Sequence, residues 1–161
     1  MEDLQFMDAA LELAREAAAE GEVPVGCVIV CNGQIVGRGR NRRETGKNAL
    51  AHAEIEAIAQ ACENLGGWRL WECTLYVTLE PCPMCAGAIV NARISRVVFG
   101  ASDRKCGACG SVCDLFSMDF NHKPQVVRGV REAEAAALLT DFFQNLRVTL
   151  RARPKWRKPT A

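Results

Sequence analysis

The sequence has no long hydrophobic run. No apolar stretch among its 161 residues approaches the roughly 20 residues that a membrane-spanning helix needs. The chain begins Met1-Glu2-Asp3, which is acidic and has neither the basic region nor the apolar core of a signal peptide. We therefore expect a cytoplasmic protein with no membrane partner.

Net charge is also small. The formal net charge is only +1 at pH 7, so the molecule as a whole has no strong electrostatic attraction for nucleic acid. The charge is uneven, however, because an acid-free basic cluster lies near the end of the sequence, at Arg147, Arg151, Arg153, Lys155, Arg157 and Lys158. We interpret residues 1–151 as one domain and residues 152–161 as a basic tail that is either solvated or in contact with phosphates.

Cysteine, by contrast, is abundant. Nine cysteines are many for this length, and the number is odd. Without an export signal, reduced thiols, some of them bound to metal, are a better interpretation than a disulfide framework. The other residues are those of a globular domain, with 49% hydrophobic and 24% charged residues overall.

The metal-binding residue types occur in one pattern, His52-Ala53-Glu54 followed by Glu80-Pro81-Cys82-Pro83-Met84-Cys85. One histidine nitrogen and two thiolates leave one corner of a tetrahedral zinc free for water, which distinguishes a catalytic zinc site from a structural one. Cys82 and Cys85 are three residues apart in the first turn of a predicted helix, where they share a face and the helix dipole favours thiolates. We predict that His52, Cys82 and Cys85 bind zinc.

Glu54 is the predicted proton carrier. It lies two residues after His52 and would not share its face on a regular helix. The two side chains reach one site only if His52 lies at or just before the first turn. Glu54 could then take a proton from a zinc-bound water and pass it to a substrate, a role that contributes about 10²- to 10⁴-fold in rate. The whole pattern is an established signature of zinc enzymes that deaminate nucleobases.

Two other functions are compatible with parts of this pattern. Cys106-Gly107-Ala108-Cys109 is a second cysteine pair, which allows a closed four-cysteine zinc site in a non-catalytic module. That site leaves His52 and Glu54 unexplained, so we favour loop thiols here, with a disulfide or a second metal as alternatives. A deaminase of a free nucleobase or nucleoside, of the guanine or cytosine type, would share the zinc chemistry without needing an RNA surface.

Apolar periodicity predicts four helices and five strands. The helices are expected at residues 3–20, 52–64, 83–92 and 132–151, and the strands at residues 27–31, 34–40, 74–79, 96–100 and 125–130. Asn32-Gly33 predicts a hairpin between the first two strands. A short helix is expected near residues 112–116, inside an irregular loop. Strands that alternate with helices predict an α/β fold with a mixed sheet covered on both faces.

These motifs resemble the cytidine deaminase superfamily. Within it, the bacterial tRNA-specific adenosine deaminases are most similar, on residues 23–26, 41–42, 52–54, 78–88 and 99–111 and on Phe142-Phe143 with Arg147. The resemblance covers nearly the whole chain and implies a three-layer α/β/α sandwich with a five-stranded mixed sheet, assembled as a homodimer. It also implies a hydrolase that converts the wobble adenosine of a tRNA anticodon loop to inosine and releases ammonia.

The resemblance implies roles for individual residues as well. One zinc ion per subunit would lie on the ligands predicted above, with Glu54 as proton shuttle and no organic cofactor. Asn41 would hydrogen-bond the base that is splayed out of the anticodon loop, and Val25 would line its pocket. Asp103 and Lys105 would contact the anticodon loop near that base, and the last helix would complete the RNA surface.

Overall fold

The computed structural model describes residues 2–152. The helices in this range are α1 (Glu2–Ala19), α2 (Ala53–Leu65), α3 (Pro83–Ala92) and α4 (Glu132–Ala152). The strands are β1 (Gly26–Cys31), β2 (Gln34–Arg40), β3 (Cys73–Leu79), β4 (Arg96–Ala101) and β5 (Gln125–Arg128), and a single 3₁₀ turn covers Leu115–Ser117. The order of elements is the one predicted from the sequence.

The five strands form one mixed sheet in the order β2-β1-β3-β4-β5. β1 pairs antiparallel with both β2 and β3, whereas β3 with β4, and β4 with β5, are parallel. The predicted five-stranded mixed sheet is therefore confirmed. Because β3 and β4 are parallel neighbours, the residues that follow Leu79 and Ala101 leave the sheet at the same edge, where α/β folds commonly place their ligands.

Helices cover both faces of the sheet. Alternate side chains of β1 point to opposite faces: Cys27 and Ile29 join the core under α2 and α3, and Val28 and Val30 join the core under α1. Both faces of this strand are buried, which explains its continuous apolar sequence. α4 packs beside α1 through Ala135 and Leu11. The predicted α/β/α sandwich is confirmed.

The helix α2 lies unusually close to β2. A Cβ atom at Gly39 would lie 2.1 Å from the carbonyl oxygen of Ala53, so only glycine allows this approach. The helix face that meets the strand consists of small residues, Ala53, Ala57 and Ala61, all fully buried. This close packing fixes the N-terminal end of α2, and with it His52, near the sheet.

Two predicted elements differ in detail. β5 ends at Arg128, two residues early, because Gly129 has a φ of 83° and turns the chain. The short helix is the turn Leu115–Ser117, not residues 112–116. The apolar side of α4 is buried only in its first half, since Phe143 and Leu146 are 42% and 38% exposed.

Two further predictions concern membrane contact and the tail. Among the helices of residues 2–152, none is both long and apolar enough to cross a bilayer. The predicted basic tail lies outside the described residues apart from its first position.

Candidate active site

Two helix N-termini meet at the candidate metal site. His52 is the N-cap of α2, with an extended backbone at φ −82° and ψ 152°. Cys82 is the N-cap of α3, followed by Pro83 in the first helical turn and then Cys85. Proline is common at this position because an N–H group there would have no acceptor within the helix, so its absence costs nothing. Both helix dipoles direct their positive ends at the site and favour thiolates.

The three predicted ligands converge. The Nδ1 atom of His52 lies 3.6 Å from the Cys82 Sγ atom and 3.5 Å from the Cys85 Sγ atom. Tetrahedral zinc with Zn–N bonds of about 2.0 Å and Zn–S bonds of about 2.3 Å places such atoms about 3.6 Å apart. The donor set therefore fits zinc with three protein ligands.

The cysteine pair Cys106 and Cys109 does not complete this group. Among residues 2–152, the side chains whose ligand atoms all lie within 4.8 Å of one another are His52, Cys82 and Cys85. Cys106 is exposed and Cys109 is buried, and both are free thiols. The geometry thus favours the three-ligand arrangement over the closed four-cysteine site.

The two candidate ligand thiols differ in acidity. A hydrogen bond with the Cys85 side chain, and then one with His52, lowers the pKa of Cys82 to about 4. The same hydrogen bond, with burial, raises the pKa of Cys85. The hydrogen bond to Cys82 also raises the pKa of His52. Metal ligation requires both sulfurs as thiolates and a neutral imidazole, so binding a metal would release these protons.

Glu54 lies beside the ligand group and is only 4% exposed. Burial raises the pKa of its carboxyl to about 6, although a hydrogen bond from its own backbone and one from the Cys85 thiol act in the opposite direction. The extended backbone of His52 is what allows both side chains to reach one place. A carboxyl group with a pKa near neutrality can both accept and donate a proton under physiological conditions.

A cavity of about 190 Å³ opens above this group. It is smaller than the roughly 300 to 1,000 Å³ of drug-sized sites, which suits one nucleobase. Its lining consists of Val23, Val25, Asn41, Arg43, His52, Ala53, Glu54, Leu79, Glu80, Cys82, Asp103 and Cys106. Of the predicted substrate-binding residues, the structure brings Val25, Asn41 and Asp103 to this cavity, whereas Lys105 lies elsewhere.

Asn41 joins two segments of the cavity wall. Its backbone N–H donates to the Val25 carbonyl at 3.1 Å, and its side-chain Nδ2 donates to the Val23 carbonyl at 3.3 Å. Its Oδ1 accepts from the Arg43 N–H at 3.2 Å. Nδ2 keeps a second hydrogen and Oδ1 a second lone pair, so the amide retains capacity to bond a base.

Asp103 shapes its own loop. Its Oδ1 accepts hydrogen bonds from the backbone N–H groups of Lys105 at 3.0 Å and Cys106 at 3.2 Å. This turn directs Lys105 away from the cavity and into a second groove, which it lines together with Phe143 and Arg147 of α4. A groove lined by a half-exposed aromatic ring and two cations is a surface suited to single-stranded nucleic acid.

Two buried carboxylates near the cavity were not predicted to have a role. Glu22, 1% exposed, accepts from the Glu44 N–H at 2.9 and 3.2 Å and so supports the loop that carries Asn41. Glu80, 3% exposed, accepts hydrogen bonds from the loop that carries Asp103. The only available signal was an acidic residue directly beside an apolar segment, which by itself does not reveal a distant partner.

Comparisons with known proteins identify deaminases as relatives of this chain. The MafB19-like deaminase family matches residues 1–147. The tRNA-specific adenosine deaminase of Bacillus subtilis (strain 168) is 48% identical over 155 residues, which cover 96% of each chain. A solved structure from a study of A-to-I editing by tRNA:A34 deaminases at the wobble position of transfer RNA has a TM-score of 0.82 and 47% identity, covering 84% of this chain and 99% of that one. The guanine deaminase of Bacillus subtilis has a TM-score of 0.61 and 32% identity, covering 96% of each.

Proposed function

The chain belongs to the MafB19-like deaminase family, and from this premise we propose that it is a hydrolase acting on tRNA. It deaminates the wobble adenosine of an anticodon loop to inosine and releases ammonia. The tRNA-specific adenosine deaminase is 48% identical to it and the protein from the study of wobble-position deaminases is 47% identical, whereas the guanine deaminase is 32% identical.

One observation carries the chemistry. Two sulfur atoms and one imidazole nitrogen lie at distances that match the spacing of ligands around one tetrahedral zinc ion. A buried carboxyl group lies beside them, at a cavity the size of a nucleobase. A zinc ion held by His52, Cys82 and Cys85 would supply a Lewis acid that lowers the pKa of water towards neutrality.

Glu54 carries the proton. Its carboxylate accepts a proton from the attacking water and delivers it to N1 of adenine, so that water adds across the N1–C6 bond. Glu54 then takes the proton of the new C6 hydroxyl and passes it to the exocyclic amine, which leaves C6 as ammonia, and inosine remains with a carbonyl at C6. A pKa of about 6 for Glu54 is compatible with both halves of this transfer near neutral pH.

The walls of the cavity hold the base. The Asn41 amide bonds an edge of the ring, and Val25 packs against it. The base must be extruded from the anticodon loop, which costs less from a single-stranded loop than from a duplex. Asp103 and Lys105 contact the loop around that base, and α4 extends the surface through Phe143 and Arg147.

Three wider features belong to the same proposal. The protein is a homodimer, with one zinc ion and no organic cofactor per subunit. It works in the cytoplasm, where its tRNA substrate is made.

Substrate comparison tests the proposal. Ammonia release should be measured with an anticodon stem-loop that has adenosine at the wobble position, and in parallel with free adenosine, guanine and cytosine. The stem-loop should react at least about 100-fold faster in kcat/KM than any free base, because binding energy from the flanking nucleotides contributes only there. Preferential release of ammonia from guanine would favour the free-base alternative, and no turnover of any substrate by zinc-loaded protein would favour the binding module.

A further inference from the structure

Glu80 occupies the junction between the sheet and the metal-binding turn. β3 ends at Leu79, and Pro81 and the ligand Cys82 follow. The Glu80 backbone N–H donates to the Ala101 carbonyl at 2.8 Å, which ties it to the end of β4. Its side chain is 3% exposed, so its carboxylate must find its hydrogen-bond donors inside the protein.

All of these donors come from one loop, residues 103–113. The Oε1 atom accepts from the Asp103 N–H at 3.1 Å and from the Ser111 hydroxyl. The Oε2 atom accepts from the Cys109 N–H at 3.0 Å and the Ser111 N–H at 3.2 Å. Each oxygen thus has two donors, and both are fully committed to the loop although Glu80 also lines the cavity.

The backbone of the 103–113 loop is shaped around this carboxylate. A Cβ atom at Gly107 would lie 2.2 Å from the Glu80 Oε2 atom and 2.4 Å from the Asp103 carbonyl oxygen, so the loop closes on the carboxylate only with glycine there. The Ala108 N–H donates to the Pro81 carbonyl at 2.9 Å. The loop is therefore attached to both residues that precede the candidate ligand Cys82, Glu80 and Pro81.

We propose that Glu80 is a positioning residue that holds the 103–113 loop, and with it the RNA-contacting groups Asp103 and Lys105, at a fixed distance from the metal-binding turn. The inference rests on the proposed function, because its consequence for catalysis needs an RNA substrate. Glu80 acts through the loop and takes no part in the proton transfer.

An ionised carboxylate is needed for this geometry. A carboxylate is acceptor-only, whereas the isosteric amide of glutamine replaces one oxygen by an NH₂ group. In one orientation of the Glu80→Gln amide, the NH₂ group would face the N–H groups of Cys109 and Ser111. In the other it would face the Asp103 N–H and the Ser111 hydroxyl, which can turn and accept. At least one backbone N–H loses its acceptor in either case, and the remaining hydrogen bonds no longer go to a charged group.

Steady-state kinetics on the anticodon stem-loop test the proposal. Glu80→Gln should retain one zinc per chain, because the three ligands are unchanged. Its KM for the stem-loop should rise about tenfold, since hydrogen bonds to charged groups are lost from the wall that binds RNA, while kcat falls by less. Ser111→Ala, which removes one of the four donors, should raise KM by a smaller factor. The exposed Glu63→Gln is the matched control and should leave both constants unchanged.

A double-mutant cycle separates positioning from general damage. Lys105→Ala should raise KM by a larger factor in the wild-type background than in the Glu80→Gln background, because Glu80→Gln has already displaced the loop that carries Lys105. Full additivity, or an unchanged KM in Glu80→Gln, overturns the proposal. If Glu80→Gln does not fold, Ser111→Ala decides, and an unchanged KM in that variant overturns it.

Hydrogen exchange makes the outcome independent of the proposed function. At least one of the amides of Asp103, Cys109 and Ser111 should exchange faster in Glu80→Gln, whereas the amide of Ala86, bonded to the Cys82 carbonyl at 2.8 Å, should keep its protection. A wild-type protein inactive on the stem-loop would refute the proposed function alone. Unchanged exchange at all three loop amides would refute the role of Glu80.

Discussion

In the proposed mechanism, single residues divide the chemistry between binding a metal and moving a proton. His52 and Glu54 are two positions apart, yet the extended backbone of His52 brings both side chains to the same site. The Nδ1 atom of His52 lies within 3.6 Å of both sulfurs, and Glu54 is held beside the sulfur of Cys85. These two roles respond differently to substitution.

Glu54→Gln should abolish proton transfer and leave the metal site intact. The amide is isosteric but cannot accept the proton, so we expect kcat to fall by about 10² to 10⁴ while one zinc per chain remains. His52→Ala should lose zinc as well as activity, because one of three protein ligands is gone. Metal analysis of both purified variants, beside ammonia release, separates the roles. Full activity in Glu54→Gln would contradict the assignment.

Residues recognisable from the sequence are those whose partners are close along the chain. His52 with Glu54, and Cys82 with Cys85, form spacings with a direct chemical meaning. Glu80 is different, since its partners lie 23 to 31 residues away. Glu22 bonds Glu44, which is 22 residues away. A local pattern carries no information about such contacts, so both acids could be identified only from the folded structure.

At the scale of elements, the N-terminal end of α1 is fastened to the sheet by Asp3. Its carboxylate accepts from both terminal nitrogens of Arg96, at 2.8 and 2.6 Å, and from the Tyr76 hydroxyl at 2.8 Å. The hydrogen bond from Arg96 holds the pKa of Asp3 below its ordinary value. The contact therefore stabilises the fold above the unfolded-state pKa of about 3.9, and this contribution is lost as the pH falls through the lower folded-state pKa.

Asp3→Asn should reduce the free energy of unfolding by about 1 kcal/mol at pH 7, because a half-buried pair contributes more than a fully exposed one. The difference from wild type should shrink below about pH 4, where the aspartate itself becomes protonated. Urea unfolding at pH 7 and pH 3 measures it. Asp8→Asn, which removes a more exposed pair with Arg131, is the control and should cost less. A loss for Asp3→Asn that does not depend on pH would contradict this account.

Two glycines offer a matched comparison between loop and helix. Gly107→Ala should destabilise the protein by about 1 to 3 kcal/mol through overpacking, because the added Cβ would meet the Glu80 carboxylate at 2.2 Å. Gly87→Ala lies in α3, where a Cβ meets nothing within 4 Å, and should stabilise by up to about 1 kcal/mol. Thermal unfolding of the two variants checks the prediction. A stable Gly107→Ala would show that the loop tolerates displacement.

Element boundaries were predictable where local signals end them and not elsewhere. Cys82-Pro83 predicted the beginning of α3 correctly, because proline prefers the first helical turn. β5 was predicted too long, because Val130 continues the apolar pattern although the positive φ of Gly129 has already turned the chain. The bounds of α4 were predicted to within one residue, but periodicity identifies an apolar face and not whether another element covers it.

At the scale of the whole molecule, the net charge of only +1 gives little attraction for RNA, so the attraction must come from locally grouped cations. Lys105 and Arg147 line one groove beside Phe143, next to the loop that forms one wall of the cavity. RNA binding at this groove releases counterions, so the affinity should fall steeply as salt rises.

Lys105→Ala and Arg147→Ala should each weaken binding of the stem-loop and reduce the slope of log affinity against log salt by about 0.7. Lys123→Ala is the control, since this exposed lysine precedes β5 and so lies near the N-terminal ends of the parallel strands, opposite to the cavity. Fluorescence anisotropy over a salt series measures the slopes. Identical slopes for all three variants would place the RNA on another surface.

The most direct test of the whole account is the position of the reacted base. An anticodon stem-loop with adenosine at the wobble position and at other positions of the loop should be incubated with the zinc-loaded protein and sequenced, since inosine reads as guanosine. We predict conversion at the wobble adenosine alone, and none in Glu54→Gln. Conversion at every unpaired adenosine, or an unchanged stem-loop beside rapid ammonia release from free guanine, would contradict it.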